Sequence, residues 1–253
     1  MTFQRSLCLL VLIGLLAVGG TRFVRAYRRE IVADHFRDRG MWLLTEFSGP
    51  RCLRGLTKGS RWLSSLAGEW RSVTELRGYS MRRDKFTNED LEAATVLSTL
   101  RVLDLSMCPV SDDGLMHLSA FPNLVELNLS ETEVTDQGMT HVSECSRISR
   151  LFLMGTGIGD AGLRHLEGMA SLEVLYLGGT HVTDDGLACL SGFARLKRLQ
   201  LSNTRVTDRG LEHLKGFTGL SHLYLSPQVA TTNQMEELRL VLTNCIVLLE
   251  RSQ

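Results

Sequence analysis

The chain has 253 residues, with 28 lysines and arginines against 28 aspartates and glutamates. That neutral balance argues against a general polyanion-binding role, and the length allows one or two domains. The six cysteines, Cys8, Cys52, Cys108, Cys145, Cys189 and Cys245, include no C-x-x-C pair, so neither a disulfide framework nor a zinc site is readable.

Residues 1–27 read as a membrane segment with a basic flank. Ser6 to Thr21 carries no charge and is mostly Leu, Val, Ile and Gly. As a helix it spans about 24 Å, short of the roughly 30 Å hydrocarbon core. Arg22, Arg25, Arg28 and Arg29 follow directly. Dense positive charge resists translocation, and arginines at a helix end can snorkel to extend a short span. The expectation is a retained single-pass anchor with the rest of the chain in the cytoplasm. The alternative is an exported, periplasmic domain, its leader cleaved near the small residues Ala17, Gly19 and Gly20 or kept as an anchor.

Residues 28–75 read as an N-terminal cap region. Arg28 to Arg39 suits a short helix, with Ile31, Val32, His35 and Phe36 on one face and Gly40 to close it. Met41 to Phe47 is an apolar, strand-like run ended by Ser48-Gly49-Pro50. Leu53, Leu56, Trp62, Leu63 and Leu66 then have helical spacing and suit a cover for the open end of a repeat array.

Residues 76–249 form that array. L-x-x-L-x-L begins at Leu100, Leu124, Ile148, Leu172, Leu196 and Leu220, each start 24 residues after the last. Ten residues into every copy but the last stands V-T-D-x-G-L-x-H-L or a close variant, as at Val206 to Leu214. Leu76, Tyr79 and Met81 fit the anchor one period earlier, and Thr87 and Leu91 fit the later half, which makes about seven repeats. In the last copy Thr232 and Gln234 replace the Asp and the Gly, and Asn244 to Leu249 suits a closing strand. A fixed period of this length predicts an α/β solenoid, in which each unit buries its apolar face only against its neighbours.

Within one copy, Leu172, Leu175 and Leu177 are expected to point inward from a short strand, with Val174 and Tyr176 outward. Thr180, in a column with Cys108, Thr132, Thr156 and Thr204, is expected to satisfy backbone groups of the adjacent coil. Thr183 suits a helix N-cap, with Asp184 in the first turn. Gly186, in a column with Gly114, Gly138, Gly162 and Gly210, costs helix propensity in every copy and is expected to permit close helix packing.

These residues resemble the leucine-rich-repeat superfamily over about Leu76 to Leu249. The T-D-x-G-L-x-x-L half is similar to repeats of F-box leucine-rich-repeat proteins, which are substrate receptors of ubiquitin ligases. It is more similar still to 24-residue bacterial versions. An apolar start, then arginines, then Gly49-Pro50-Arg51-Cys52-Leu53-Arg54 resembles membrane-anchored bacterial members. The resemblance implies a right-handed solenoid with a parallel concave sheet, convex helices, an N-terminal apolar helix and a small cap. No segment resembles an F-box, so an adaptor role in ubiquitin transfer does not follow from the fold.

Three patterns could carry chemistry. His117, His141, His165 and His213 share a column with Cys189, but neighbouring helices about 8–10 Å apart place equal-height side chains too far apart to share one ion readily. Gly157-Ile158-Gly159-Asp160-Ala161-Gly162 matches G-x-G-x-x-G, yet the repeat accounts for Asp160 and Gly162, and no acidic residue ends the next strand. Cys52 or Cys189 could serve as a nucleophile only with a depressed thiol pKa. The reading is therefore of no enzyme, no cofactor, no metal, no nucleic acid and no small-molecule substrate.

The outward strand columns vary inside an otherwise strict pattern. One reads Val102, Glu126, Arg150, Val174, Arg198, His222, and the other Asp104, Asn128, Phe152, Tyr176, Gln200, Tyr224. Aromatic and arginine residues in one patch are the usual composition of an interface hot spot. The expected site for a protein partner is thus Arg150, Phe152, Met154, Val174, Tyr176, Arg198, Gln200 and Tyr224 on the concave face. The competing reading is that Tyr and Phe occupy outward strand positions for cross-strand packing alone. A purely structural envelope or membrane-organising role, with no concave ligand, is the alternative of a different class.

Overall fold

A computed structural model describes residues 42–47, 71–77, 86–95, 97–228 and 232–250. Its centre is one sheet of nine strands, in sequence order from end to end. The first is β1 (Trp42–Phe47), which pairs antiparallel with β2 (Arg71–Arg77). From β2 onward every pairing is parallel, through β3 (Val102–Asp104), β4 (Glu126–Asn128), β5 (Arg150–Phe152), β6 (Val174–Tyr176), β7 (Arg198–Gln200), β8 (His222–Leu225) and β9 (Ile246–Leu249).

The register follows the 24-residue period. Leu103, Leu127, Leu151, Leu175, Leu199, Leu223 and Val247 align across the sheet. All but the last of these are fully buried, as are the leucines two residues on. Strands of three residues cannot hold together alone; the stacked leucine columns behind them supply the cohesion. Phe121, Met169, Phe193 and Phe217 close successive layers of the same continuous core.

Opposite the sheet run short helices: α1 (Asn88–Ala94), α2 (Asp112–Leu115), α3 (Met139–Ser143), α4 (Asp160–Leu166), α5 (Asp184–Cys189), α6 (Leu211–Leu214) and α7 (Thr232–Val241). Two are completed by 3-10 turns, Met116–Ala120 and Leu190–Gly192, and α3 is preceded by one, Asp136–Gly138. The longest, α7, lies in the copy whose Asp and Gly are replaced. Removing glycine from the helix favours its extension, by about 1 kcal/mol relative to a good helix former.

The first repeat differs from the sequence expectation. Leu76 pairs beside Leu103, not in the column of Leu100, so β2 stands 27 residues before its neighbour instead of 24. Phe86, Thr87 and Leu91 keep the 24-residue relation to Val110, Ser111 and Leu115. The stretch from Leu76 to Phe86 is three residues longer than the stretch from Leu103 to Val110, and that excess shifts the strand. Tyr79 and Met81, expected to be inward anchors, lie outside the described residues. So do the apolar segment at 6–21, the helix expected at 28–39 and the cap residues Leu53 to Leu66.

Two side-chain columns also take roles other than those expected. Thr132, Thr156, Thr180 and Thr204 donate to carbonyls of their own coil, those of Leu129, Leu153, Leu177 and Leu201, at 2.6–2.7 Å. They close their own turn and do not reach the adjacent coil. The aspartates do reach it. The Asp160 carboxylate accepts from the Thr183 backbone N–H at 2.8 Å and from its hydroxyl at 2.6 Å. Asp112 serves Thr135 and Asp184 serves Thr207 in the same way. Each of these threonines also caps its own helix weakly, Thr183 accepting from the Asp185 N–H at 3.3 Å. A carboxylate from one coil therefore seats the N-terminus of the next helix.

Candidate protein-binding face

The parallel register brings Phe152 beside Tyr176 and Tyr176 beside Gln200, with Tyr224 one strand further. Phe152 and Tyr176 meet edge to face, ring centroids 5.1 Å apart at 83°. Tyr176 and Tyr224 also meet, at 6.0 Å and 62°, although a whole strand lies between them. Two strand spacings amount to about 9.5 Å, so these rings lean towards one another across Gln200.

Gln200 permits this by lying down. Its side chain is only 7% exposed, and its amide nitrogen donates to the Glu250 carboxylate at 3.0 Å. Ser202 donates to the same oxygen at 2.8 Å. The rest of the amide fills the space beside Gly178, where a Cβ would overlap it. The outward column places Gln200 on the contact surface with the others; the structure makes it the floor beneath two tyrosines. Partial burial, and then the neighbouring Tyr224, raise the Tyr176 pKa above its usual value, so this ring stays neutral at physiological pH.

The two arginines are not equivalent. Arg150 forms an ion pair with Glu126 on the adjacent strand at 2.6 Å. Arg198 is exposed, and among the described residues no carboxylate lies within ion-pair distance of it. Val174 and Met154 are half-buried beside the rings. In the early repeats, Asp104 and Asn128 turn back to accept from the Ser106 and Ser130 N–H groups, each at 3.0 Å. They terminate strands, and the other acids of that region are ion-paired, Glu126 with Arg150 and Glu75 of the same column with Arg77.

Two residues of this face were not picked out from sequence. Ile246 aligns with His222 and Leu248 with Tyr224, so the outward columns run on into β9. Both side chains are exposed. The signal was present, since each stands 24 residues after its counterpart, but the degenerate Asn244 start hid the continuation. His222 stacks beside Tyr224 at 6.4 Å and 16°, which joins the apolar end to the aromatic row.

Of the three patterns that could carry chemistry, the glycine-rich one serves the coil itself. The Gly159 and Gly162 N–H groups both donate to Asp136, at 2.7 and 2.9 Å. The place a phosphate would take in a glycine-rich loop is filled by the chain's own carboxylate. The histidine column lies along the helices, His117 and His141 half-buried, His165 and His213 exposed. Among the described residues no group of three or more His, Cys, Asp or Glu is placed to hold a metal ion. Burial pushes the Cys108 thiol up to about 12 and the Cys145 thiol to about 11. Burial and then Glu167 raise Cys189, and burial raises Cys245. These environments favour the thiol over the thiolate that nucleophilic chemistry needs. Cys52 lies outside the described residues.

A family model described as Leucine Rich repeat matches residues 96–119, 122–142 and 168–191. A search of curated proteins gives no match. Among solved structures, the chain is similar to an internalin (inlF) from Listeria monocytogenes, at 17% identity over 64% of this chain and 57% of that one, with a TM-score of 0.41. It is similar to a leucine-rich-repeat protein of Leptospira interrogans at 17% identity, over 62% of this chain and 44% of that one, TM-score 0.45. An internalin C2 (inlC2) from Listeria monocytogenes matches at 22% identity, over 67% and 78% of the two chains, TM-score 0.39. The chain thus spans about half the length of the first two. Three stretches thus match leucine-rich repeats, and the same coil continues through the sheet between and beyond them.

Proposed function

We propose that this chain is a non-enzymatic protein-interaction module that binds a protein partner on the concave face of its middle and late repeats. The observation that carries the reading is the row Phe152–Tyr176–Tyr224, in mutual edge contact and flanked by the accessible guanidinium of Arg198. Cross-strand packing alone accounts for aromatic neighbours. It does not account for an exposed arginine that has, among the described residues, no carboxylate within ion-pair distance, and Tyr and Arg are among the residues that dominate interface energetics. Arg150, Met154 and Val174 border the row, and Gln200 supports it from beneath.

The test is capture of partners by the full chain and by a Phe152→Ala, Tyr176→Ala, Arg198→Ala variant whose circular dichroism shows it folded. Loss of a specific partner from the variant is expected. Equal recovery by both chains would move the site to the convex helices or the N-terminal cap.

The same reading places the module at a membrane. Among the described residues no helix is long and apolar enough to cross one. The anchor would be residues 1–27, supported by the uncharged run from Ser6 to Thr21 and the arginines after it. The arginine flank favours a cytoplasmic repeat domain.

A further inference from the structure

Among the described residues, β9 is the last strand of the sheet and no further strand pairs with its outer edge. Five of the seven exposed large apolar residues among the described residues lie here: Leu240, Val241, Ile246, Leu248 and Leu249. Leu240 is 77% exposed and Ile246 55%. No charged residue occurs from Leu240 to Leu249. Natural edge strands are usually protected by charge, proline or a bulge, and β9 has none of these. The first charge after it, Glu250, accepts from Gln200 of β7 and from Ser202 just beyond that strand.

The backbone of β9 is half used. The Ile246 N–H donates to Ser221 and the Glu250 N–H to Leu225, both at 2.8 Å, on the β8 side. In a parallel pair the alternate residues point the other way. Val247 and Leu249 therefore present their N–H and C=O groups to the open edge.

We infer that β9 pairs antiparallel with β9 of a second copy of this chain, about a two-fold axis at Val247. A two-fold axis perpendicular to the sheet keeps concave side chains opposite concave ones, so the pairing must be centred on a residue. Centred on Val247, the two copies of that residue exchange a pair of N–H···O=C bonds, because both already point at the seam. Ile246 then faces Leu248 of the other copy on the concave side, twice over, and Cys245 faces Leu249. Centred on Leu248 instead, the pairing would set Glu250 against Ile246, a charge against an apolar side chain. The five exposed side chains leave roughly 400 Å² of apolar surface per copy, the size at which such a patch marks a contact. Two copies bring together roughly 800 Å² of it, the size of a weak, transient interface. The dimer also joins the two concave faces into one continuous surface.

Sedimentation equilibrium of the full chain in a density-matched detergent tests this. The expected result is twice the chain mass, with an Ile246→Lys, Leu248→Lys variant dissociating at about 100-fold or more higher concentration, since lysines on an edge oppose pairing. Both positions are exposed, so circular dichroism of that variant is expected to be unchanged. An independent measurement is oxidation of an Ile246→Cys, Leu248→Cys chain, expected to give a disulfide-linked dimer and nothing larger. A single-chain mass at every concentration overturns the inference. So does a dimer that survives the lysine variant, which would place association in the N-terminal segment. A ladder of cross-linked species would show head-to-tail growth, which is incompatible with a closed two-fold pair.

Discussion

The repeated Asp and Gly, two residues apart, are one device. A Cβ on Gly186 would overlap the Asp160 carboxylate of the preceding coil, and one on Gly210 would overlap Asp184. The glycine is needed to seat a carboxylate, a more specific reason than close helix packing in general. Gly186→Ala gains up to about 1 kcal/mol of helix propensity and forces the carboxylate off Thr183. The net change is expected to be a loss of about 1–3 kcal/mol in urea unfolding, the usual range for overpacking. Asp160→Ala alone is expected to cost about 1–3 kcal/mol through the unsatisfied Thr183 N–H. The double variant should cost clearly less than the two losses added together, because both act on one contact. Strict additivity would mean that the glycine serves something else.

The buried thiols give a pH signature. With folded values raised to about 12 for Cys108 and about 11 for Cys145, the native state holds these protons more tightly than the unfolded chain does. Their contribution to stability is complete below the ordinary thiol range near pH 9, and is lost as the pH rises through the raised values. A Cys108→Ala, Cys145→Ala variant should show a shallower fall of stability in that window. An unchanged slope would mean that the thiols are solvated.

At the scale of elements, the middle leucine of each three-residue strand carries the packing. Leu175 is fully buried between Leu151 and Leu199, so Leu175→Ala should cost about 2–5 kcal/mol by leaving a cavity. The same unfolding experiment on Val174→Ala, an outward neighbour, should show a much smaller effect. Equal losses would contradict the assigned register. The inward columns were legible because period and alternation both act within one strand. The position of β2 was not. Leu76 satisfies either the first or the fourth column of the pattern, and only pairing with Leu103 decides between them. Helix length was equally illegible, since three helices run into 3-10 geometry at one end, which no apolar spacing distinguishes.

The described sheet carries an aromatic row on its outward face and ends in an apolar, uncharged strand. Which partners can reach it depends on the side of a membrane to which the proposed anchor would assign the repeats. Protease treatment of intact cells or spheroplasts should leave the repeats uncut and should cut them only after lysis, if the arginine flank sets the orientation. Digestion from outside would instead fit the exported alternative and change the pool of partners.

The sequence by itself determined the repeat, its 24-residue register, the inward leucines, and the composition of the outward columns. These depend on local periodicity, and a periodic apolar pattern has one economical way to be buried. Tertiary structure alone decided which outward residues meet. Tyr176 touches Tyr224 because Gln200 folds down beside Gly178 and is held by Glu250, a residue 50 positions away. It also decided that Asp160 serves the next coil in preference to its own helix. Such choices depend on side-chain reach between coils, and that distance exists only once the strands have stacked.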